Sequence, residues 1–327
     1  MAAAIVYIAL LARAVAAQQT IEFVQRADEL RIRSGDEPVA SYYYRDREIT
    51  RPFRAHVYAP GQVQVTRHHP PRPGLDDTDH GTAGNYFHPG VWLALSDLNG
   101  NDYWRLKAAV RHEAFIAEPT NEARRGTFTV RNSYRDQKHA DITVANEICR
   151  FTVAHLPDAY LLVSDSLFWS DDRPLAFGDE EEMGFAVRVA TPLAVKHGGR
   201  LLDSTGRVGE KQIRGTAAPW CDYAGKIDDR QVGIMLVPDP ANPLVSRYHA
   251  RDYGLLAANP FAGQALGDSQ RRETVIEKGE TLRLRFAVAL HEGPAMDAAD
   301  EAAELSALYE AAVKLLADLP RPTKGTP

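Results

Sequence analysis

Apolar and polar positions alternate along much of the chain. Across residues 281–288, Leu282, Leu284, Phe286 and Val288 fall on one side, and Arg283 and Arg285 fall on the other. That period of two marks a strand with one buried and one wet face. Similar runs, alternating or rich in β-branched residues, recur at 21–24, 30–33, 62–65, 126–130, 148–153 and 185–189. Turn signals such as Pro60-Gly61 and His197-Gly198-Gly199 divide them. Many strands and little helix predict an all-β fold, a large antiparallel β-sandwich. One helix is predicted at about 297–318: Asp297 suits its N-cap, Leu305, Leu308, Ala312, Leu315 and Leu316 form an apolar stripe, and Pro320 ends it. No repeat, low-complexity tract or long linker interrupts the pattern, so residues 18–327 read as a single domain.

Three segments between the strands are dense in chemistry. The first runs from His68-His69-Pro70-Pro71 through Asp79-His80 to Phe87-His88-Pro89-Gly90, the second is Trp220-Cys221-Asp222-Tyr223, and the third spans residues 247–254. A loop of about 20 residues is uncommon inside a compact domain unless it is functional or disordered.

Composition narrows the class. The net charge is −6 and the basic residues are scattered, which argues against a nucleic-acid partner, since a phosphate backbone wants a concentrated positive face. Residues 2–11 form an apolar run, and Ala14-Val15-Ala16 supplies the small residues of a cleavage site. Residues 1–17 therefore read as a signal peptide and the mature protein as periplasmic or secreted, although no basic residue precedes the run and Arg13 lies near its end. The run is shorter than the roughly 20 residues a bilayer requires, and no later segment replaces it, so no membrane span is expected after signal removal. Two cysteines, Cys149 and Cys221, allow one disulfide in an oxidising compartment or two buried free thiols, and exclude a disulfide-dense scaffold.

Each candidate site residue has a structural reading beside its functional one. His68, His69, His80 and His88 fall within 21 positions. They suit acid/base chemistry, metal binding or plain loop hydrogen bonding, but their spacing matches no zinc signature. The run Asp179-Glu180-Glu181-Glu182 reads as a solvated face, except that Glu182 shares strand parity with Gly184, Ala186 and Arg188 and can look into a cavity with Arg188. There it would serve as a base, its proton affinity set by burial and nearby cations. Trp220 beside Asp222 offers a stacking platform for a sugar, or a core tryptophan. Arg247, His249 and Arg251 alternate and so point one way, into a site or along an exposed sheet face.

At these residues the chain resembles a known family. The matching segments are His68-His69-Pro70, Thr78-Asp79-His80, His88-Pro89-Gly90-Val91-Trp92, Asp97-Leu98-Asn99-Gly100, Asp102-Tyr103-Trp104-Arg105, Glu181-Glu182-Met183-Gly184, Val187-Arg188-Val189-Ala190, Trp220-Cys221-Asp222-Tyr223, Arg251-Asp252-Tyr253-Gly254 and Ala258-Asn259-Pro260-Phe261. Together they resemble a bacterial exported family of unknown function often labelled "methane oxygenase PmoA", over residues 30 to 290. The label belongs to a membrane-embedded monooxygenase subunit, whereas this chain shows no span beyond its leader, so no iron or copper centre is expected. The resemblance implies a galactose-mutarotase-like sandwich and a carbohydrate or sugar-derived substrate.

The combined reading is an exported carbohydrate-active protein doing acid/base chemistry: epimerisation, elimination or keto-sugar hydrolysis. Glu182 would be the base and His88 or His249 the acid or oxyanion partner. Arg188, Arg247 and Arg251 would hold substrate oxygens, while Asp79, His80, Trp92, Trp220 and Asp222 would fix the ring. No cofactor or metal is called for, and no feature specifies an oligomeric state. The alternative is a non-catalytic glycan-binding protein; a third reading is a metalloenzyme built on His80 and His88.

Overall fold

A computed structural model of the chain describes residues 20–76, 87–293 and 298–324. The leader, Asp79, His80 and Asp297 lie outside the described residues. The protein is an all-β antiparallel sandwich with a C-terminal helix. Its first eight-stranded sheet holds β1 (Ile21–Gln25), β2 (Glu29–Ser34), β3 (Glu37–Tyr43), β4 (Phe53–Ala55), β7 (Val91–Leu95), β13 (Met183–Arg188), β18 (Leu255–Asn259) and β17 (Arg247–Arg251), side by side in that order. The second runs β14 (Arg200–Asp203), β15 (Cys221–Ile227), β16 (Arg230–Pro238), β20 (Leu282–Glu292), β11 (Ala159–Trp169), β10 (Thr143–Leu156), β9 (Arg125–Arg135), β8 (Val110–Glu122). Two short ladders pair β5 (Tyr58–Ala59) with β6 (Val63–Gln64) and β12 (Leu175–Phe177) with β19 (Thr274–Ile276).

Side-chain alternation decides what each face carries. In β13, Met183, Phe185 and Val187 enter the core between the sheets, as do Tyr248 and Ala250 of β17 and Leu256 and Ala258 of β18. From the second sheet, Leu282, Leu284, Phe286, Val288 and Leu290 of β20 meet them. Phe185 stacks on Phe286 across the gap with ring centroids 5.0 Å apart, worth about 0.5–1.5 kcal/mol beyond the area both rings bury. Gly184 is needed where it stands: its φ is +97° and a Cβ would lie 2.2 Å from the carbonyl oxygen of Ala258, so no other residue lets β13 and β18 approach as they do.

The face of β20 that reads as wet in the sequence is covered instead. Helix α2 (Ala298–Asp318), numbered after the single turn α1 (Glu210–Ile213), lies over it with Leu305, Ala312 and Leu316 against Ala287, Ala289, Val237 and Trp220. Arg283 is held by Asp165 through two bonds of 2.7 and 2.6 Å. Arg285 pairs with Asp239 at 2.6 Å and donates to the carbonyl of Leu316 at 2.6 Å, satisfying an acceptor in the last helical turn. Cys149 and Cys221 are free, buried thiols.

Candidate functional site

The outward face of the first sheet carries the residues of opposite parity. Trp92 and Ala94 of β7, Ala186 of β13, and Leu255 and Ala257 of β18 pack there with Phe53, Trp104 and Tyr253. Arg188, His249 and Arg251 share this face by alternation. The neutral floor ends in polar groups where β13 begins and β17 ends.

The acidic run is clamped through its backbone. Asn259, fully buried, donates from Nδ2 to the carbonyls of Glu180 (2.8 Å) and Glu181 (3.2 Å), and its Oδ1 accepts from the amides of Phe261 and Ala262. His249 donates from Nδ1 to the same Glu181 carbonyl at 3.0 Å. Asp179 accepts four backbone N–H groups, from Gly263, Gln264, Ala265 and Arg272. Burial works against its charge, but these donors outweigh it and hold the carboxyl below its ordinary range. Backbone clamping leaves the side chains of Glu181 and Glu182 free to face the cations.

Those two neighbours are pulled apart in proton affinity. Glu182 has 16% of its side chain exposed and forms an ion pair with Arg105. Burial raises its pKa, the Arg105 charge opposes the rise, and the charges of Glu181 and Asp102 add to it; the net direction is upward. For Glu181, burial also pushes upward, but the hydrogen bond and charge of Arg214 and the charge of Arg251 prevail and lower it. Glu181 pairs with Arg214 and, at 3.3 Å, with Arg251. Glu210 of α1 receives Arg251 at 2.9 Å and accepts the amide of Asp252, whose carboxylate in turn accepts the amide of Glu210. Asp102 steadies Arg105 and Lys107, each at 3.2 Å. Adjacent carboxylates of unlike proton affinity divide acid/base labour, one staying charged while the other is poised to exchange a proton.

His249 is fixed as a neutral ring. It is 2% exposed, its Nε2 accepts from Arg251 Nε at 3.1 Å, and burial lowers its pKa to about 4. The acid role expected of it needs a proton that this environment withholds. His88 is equally buried: Trp104 Nε1 donates to its Nε2 at 3.1 Å, and it stacks on Trp92 with centroids 5.5 Å apart. Both histidines hold the site together from below instead of opening onto it. Trp92 is 1% exposed with the Arg51 guanidinium 5.6 Å from its ring, so it cannot stack on a sugar. Arg188, 1% exposed, lies 4.5 Å from the centre of the Tyr253 ring, which covers it.

Two expected residues are elsewhere. In β15, Cys221 and Tyr223 point into the core, so Trp220 and Asp222 point to the opposite face of the second sheet. Trp220 packs under α2 and Asp222 bonds the buried His291 at 3.0 Å. The sequence reads this segment as lying between strands; residues 221–227 are instead β15, whose alternation sets both side chains on one face of the second sheet. Arg247 shares a face with His249, yet it is spent at the far end of β17 on the carbonyl of Gly215 and on Asp268. Conversely, Arg105, Glu181, Arg214, Glu210 and Asn259 escape sequence reading as site residues. Asn259 had a signal, since strand parity joins it to the face of Leu255 and Ala257; Arg214 had none. Among the described residues no group of three or more His, Cys, Asp or Glu is placed to hold a metal ion, and no helix is long and apolar enough to cross a membrane.

The sequence profile of a family described as "Family of unknown function (DUF6807)" matches residues 29–307. No curated protein sequence matches the chain. Similar solved structures include the GH36 α-galactosidase AgaB of Geobacillus stearothermophilus, at 8% identity, covering 83% of this chain and 41% of that one, with a TM-score of 0.45. A galactose mutarotase-like protein of Clostridium acetobutylicum aligns at 8% identity over 83% of this chain and 98% of its own, TM-score 0.42. A GalM/aldose epimerase homologue of C. elegans aligns at 8% over 83% and 99%, TM-score 0.36. The chain spans about 40% of the length of the α-galactosidases it resembles.

Proposed function

For this chain, which belongs to that family of unknown function, we propose a carbohydrate-directed enzyme that removes and returns a proton beside a sugar carbonyl. The observation that carries the reading is the split pair: Glu182 with raised proton affinity next to Glu181 held ionised, both facing arginines. Glu182 would take the proton from the carbon next to the carbonyl, leaving an enolate whose oxygen Arg105 or Arg251 would neutralise, and then give the proton back. Each arginine stands beside a carboxylate, so donor and acceptor alternate across the face, which suits hydroxyl groups that both donate and accept. His249 and Asn259 are positioning residues in this scheme, acting through the Glu181 carbonyl. The protein would work outside the cytoplasm once its leader is removed; N-terminal sequencing of native protein that begins at Met1 would contradict that part.

A thermal-shift screen against monosaccharides, oligosaccharides, 3-keto sugars and uronic acids tests the substrate class, because a ligand that binds only the folded state raises the midpoint. NMR in deuterated water then tests the chemistry: a bound keto-sugar should exchange the hydrogen next to its carbonyl. Binding without exchange would favour a glycan-binding protein, and no shift with any sugar would sink the carbohydrate reading.

A further inference from the structure

The ion pairs of the outward face fall into two groups that meet at the adjacent residues Glu181 and Glu182. In one, Arg105 joins Asp102 and Glu182, and Lys107 joins the same Asp102. In the other, Arg251 joins Glu181 and Glu210, and Arg214 joins Glu181. Each group therefore holds two cations and two carboxylates. Beside them, Asp252 turns its carboxylate to the amide of Glu210 and Arg188 lies under the Tyr253 ring, one charge of each sign. His249, kept neutral by burial, adds none.

That balance limits what can bind and react. In the proton transfer described above, the C–H bond next to the carbonyl breaks, Glu182 gains the proton, and the electron pair moves onto the carbonyl oxygen. Glu182 loses a negative charge as the oxygen gains one, so Arg105 exchanges one anion for another and its group stays neutral. This bookkeeping closes only for an uncharged substrate. A uronate or a sugar phosphate brings a standing negative charge to a face where every cation of the two groups already meets a carboxylate. Seated at Arg105, it would stand beside Glu182, and a like charge raises the proton affinity of a carboxylate and works against the base. Seated at Arg214 or Arg251, it would have to displace Glu181. That residue is pinned through its backbone, because its carbonyl accepts from Asn259 and His249. Its carboxylate is one-third exposed, where an arriving ligand meets it.

Resting on that reading of the site, we propose that it takes uncharged sugars and rejects uronates and sugar phosphates, with Glu181 setting the selectivity. By meeting the charge of Arg214 and Arg251 in advance, Glu181 leaves their N–H groups as donors for neutral hydroxyls and makes a second anion an unpaired one.

Isothermal titration calorimetry of the full chain tests this with matched pairs: the methyl glycosides of glucose, galactose and mannose, each against its uronic acid counterpart. The wild-type protein should bind the neutral member of at least one pair, with an affinity that does not change between about 20 and 200 mM salt. It should bind the matching uronate at least about tenfold more weakly. In Glu181→Gln the gap should close, through uronate binding that weakens as salt is added, while Glu181→Asp, which keeps the charge, should preserve it. A uronate that binds the wild-type protein as tightly as its neutral partner overturns the selectivity and leaves the carbohydrate reading standing. No binding by any member of the pairs overturns both. A Gln variant that binds the neutral glycoside and still rejects the uronate overturns the role given to Glu181, and the wild-type comparison decides the selectivity whether or not that variant folds.

Discussion

The outward face of the first sheet carries Trp92, His249, Glu182 and Arg251, and that of the second carries Trp220, His291, Asp222 and Arg283. The residue types match, yet the two faces differ in what covers them. Over the second sheet, α2 brings Leu305, Ala312 and Leu316 down onto Trp220 and Met235. The polar groups beneath it are closed off by fixed partners, as in His291 with Asp222, Arg283 with Asp165, and Arg285 with Asp239 and the Leu316 carbonyl. On the first sheet the polar groups are shared among several partners: Arg251 touches His249, Glu181 and Glu210, and Glu181 also holds Arg214. Six side chains of this network, Arg105, Glu181, Glu182, Glu210, Arg214 and Arg251, remain between 16% and 40% exposed. A satisfied, covered pair adds stability and little else; an exposed, shared network can exchange partners with a ligand.

This contrast can be broken most sharply at Glu182. Glu182→Gln keeps the shape and removes the base, so turnover of whichever keto-sugar the screen identifies should fall roughly 10²–10⁴-fold. The unfolding free energy should barely move, and a matching collapse in stability would show the face to be structural. At Trp220 the outcome should invert: Trp220→Ala should cost about 3–5 kcal/mol by chemical denaturation through the cavity left under α2. Turnover per folded molecule should be unchanged, and a Trp220 variant that folds normally but has lost activity would overturn the assignment of the second face.

The two buried histidines should show opposite pH dependence. Burial holds His249 neutral down to about pH 4, so between its ordinary value near 6.5 and about 4 the unfolded chain binds a proton that the folded one refuses. Stability is therefore lost as pH falls through that window, by up to about 1.4 kcal/mol per pH unit. For His291, burial lowers the pKa, but the Asp222 carboxylate outweighs it and the net direction is upward. Its contribution is present below pH ~6.5 and is lost as pH rises through the raised value. Denaturation midpoints followed from about pH 4 to pH 9 should lose the acid limb in His249→Asn and the alkaline limb in Asp222→Asn. Limbs that persist unchanged in both variants would remove the distinction. The smallest effect is expected at Arg214→Ala, where a partly exposed ion pair contributes less than about 1 kcal/mol to folding. A larger loss by denaturant titration would make the network a stabilising element and weaken the contrast.

The period of two marks seven of the strands, β1, β2, β6, β9, β10, β13 and β20, and the apolar stripe at 305, 308, 312, 315 and 316 marks the helix. It also puts Arg247, His249 and Arg251 on one side of an extended segment, but residues 220–223, read as lying between strands, lead into β15 (Cys221–Ile227). The wet face read for β20 differs, because alternation reports which side of a strand is polar and is blind to a helix, Ala298–Asp318, folding back over it.

What the sequence determined by itself is the local part: strand parity, the helix, two thiols without a scaffold of disulfides, and an acidic run whose last member shares a face with Arg188. What only the tertiary structure decided is which polar faces meet. Parity is a property of one strand and costs nothing to read, whereas the sheet order β7-β13-β18-β17 brings together residues 92, 186, 257 and 249 from four distant segments. The proton affinities follow from that assembly alone, since Glu181 and Glu182 are neighbours of one residue type and differ only in which arginines and how much protein surround them.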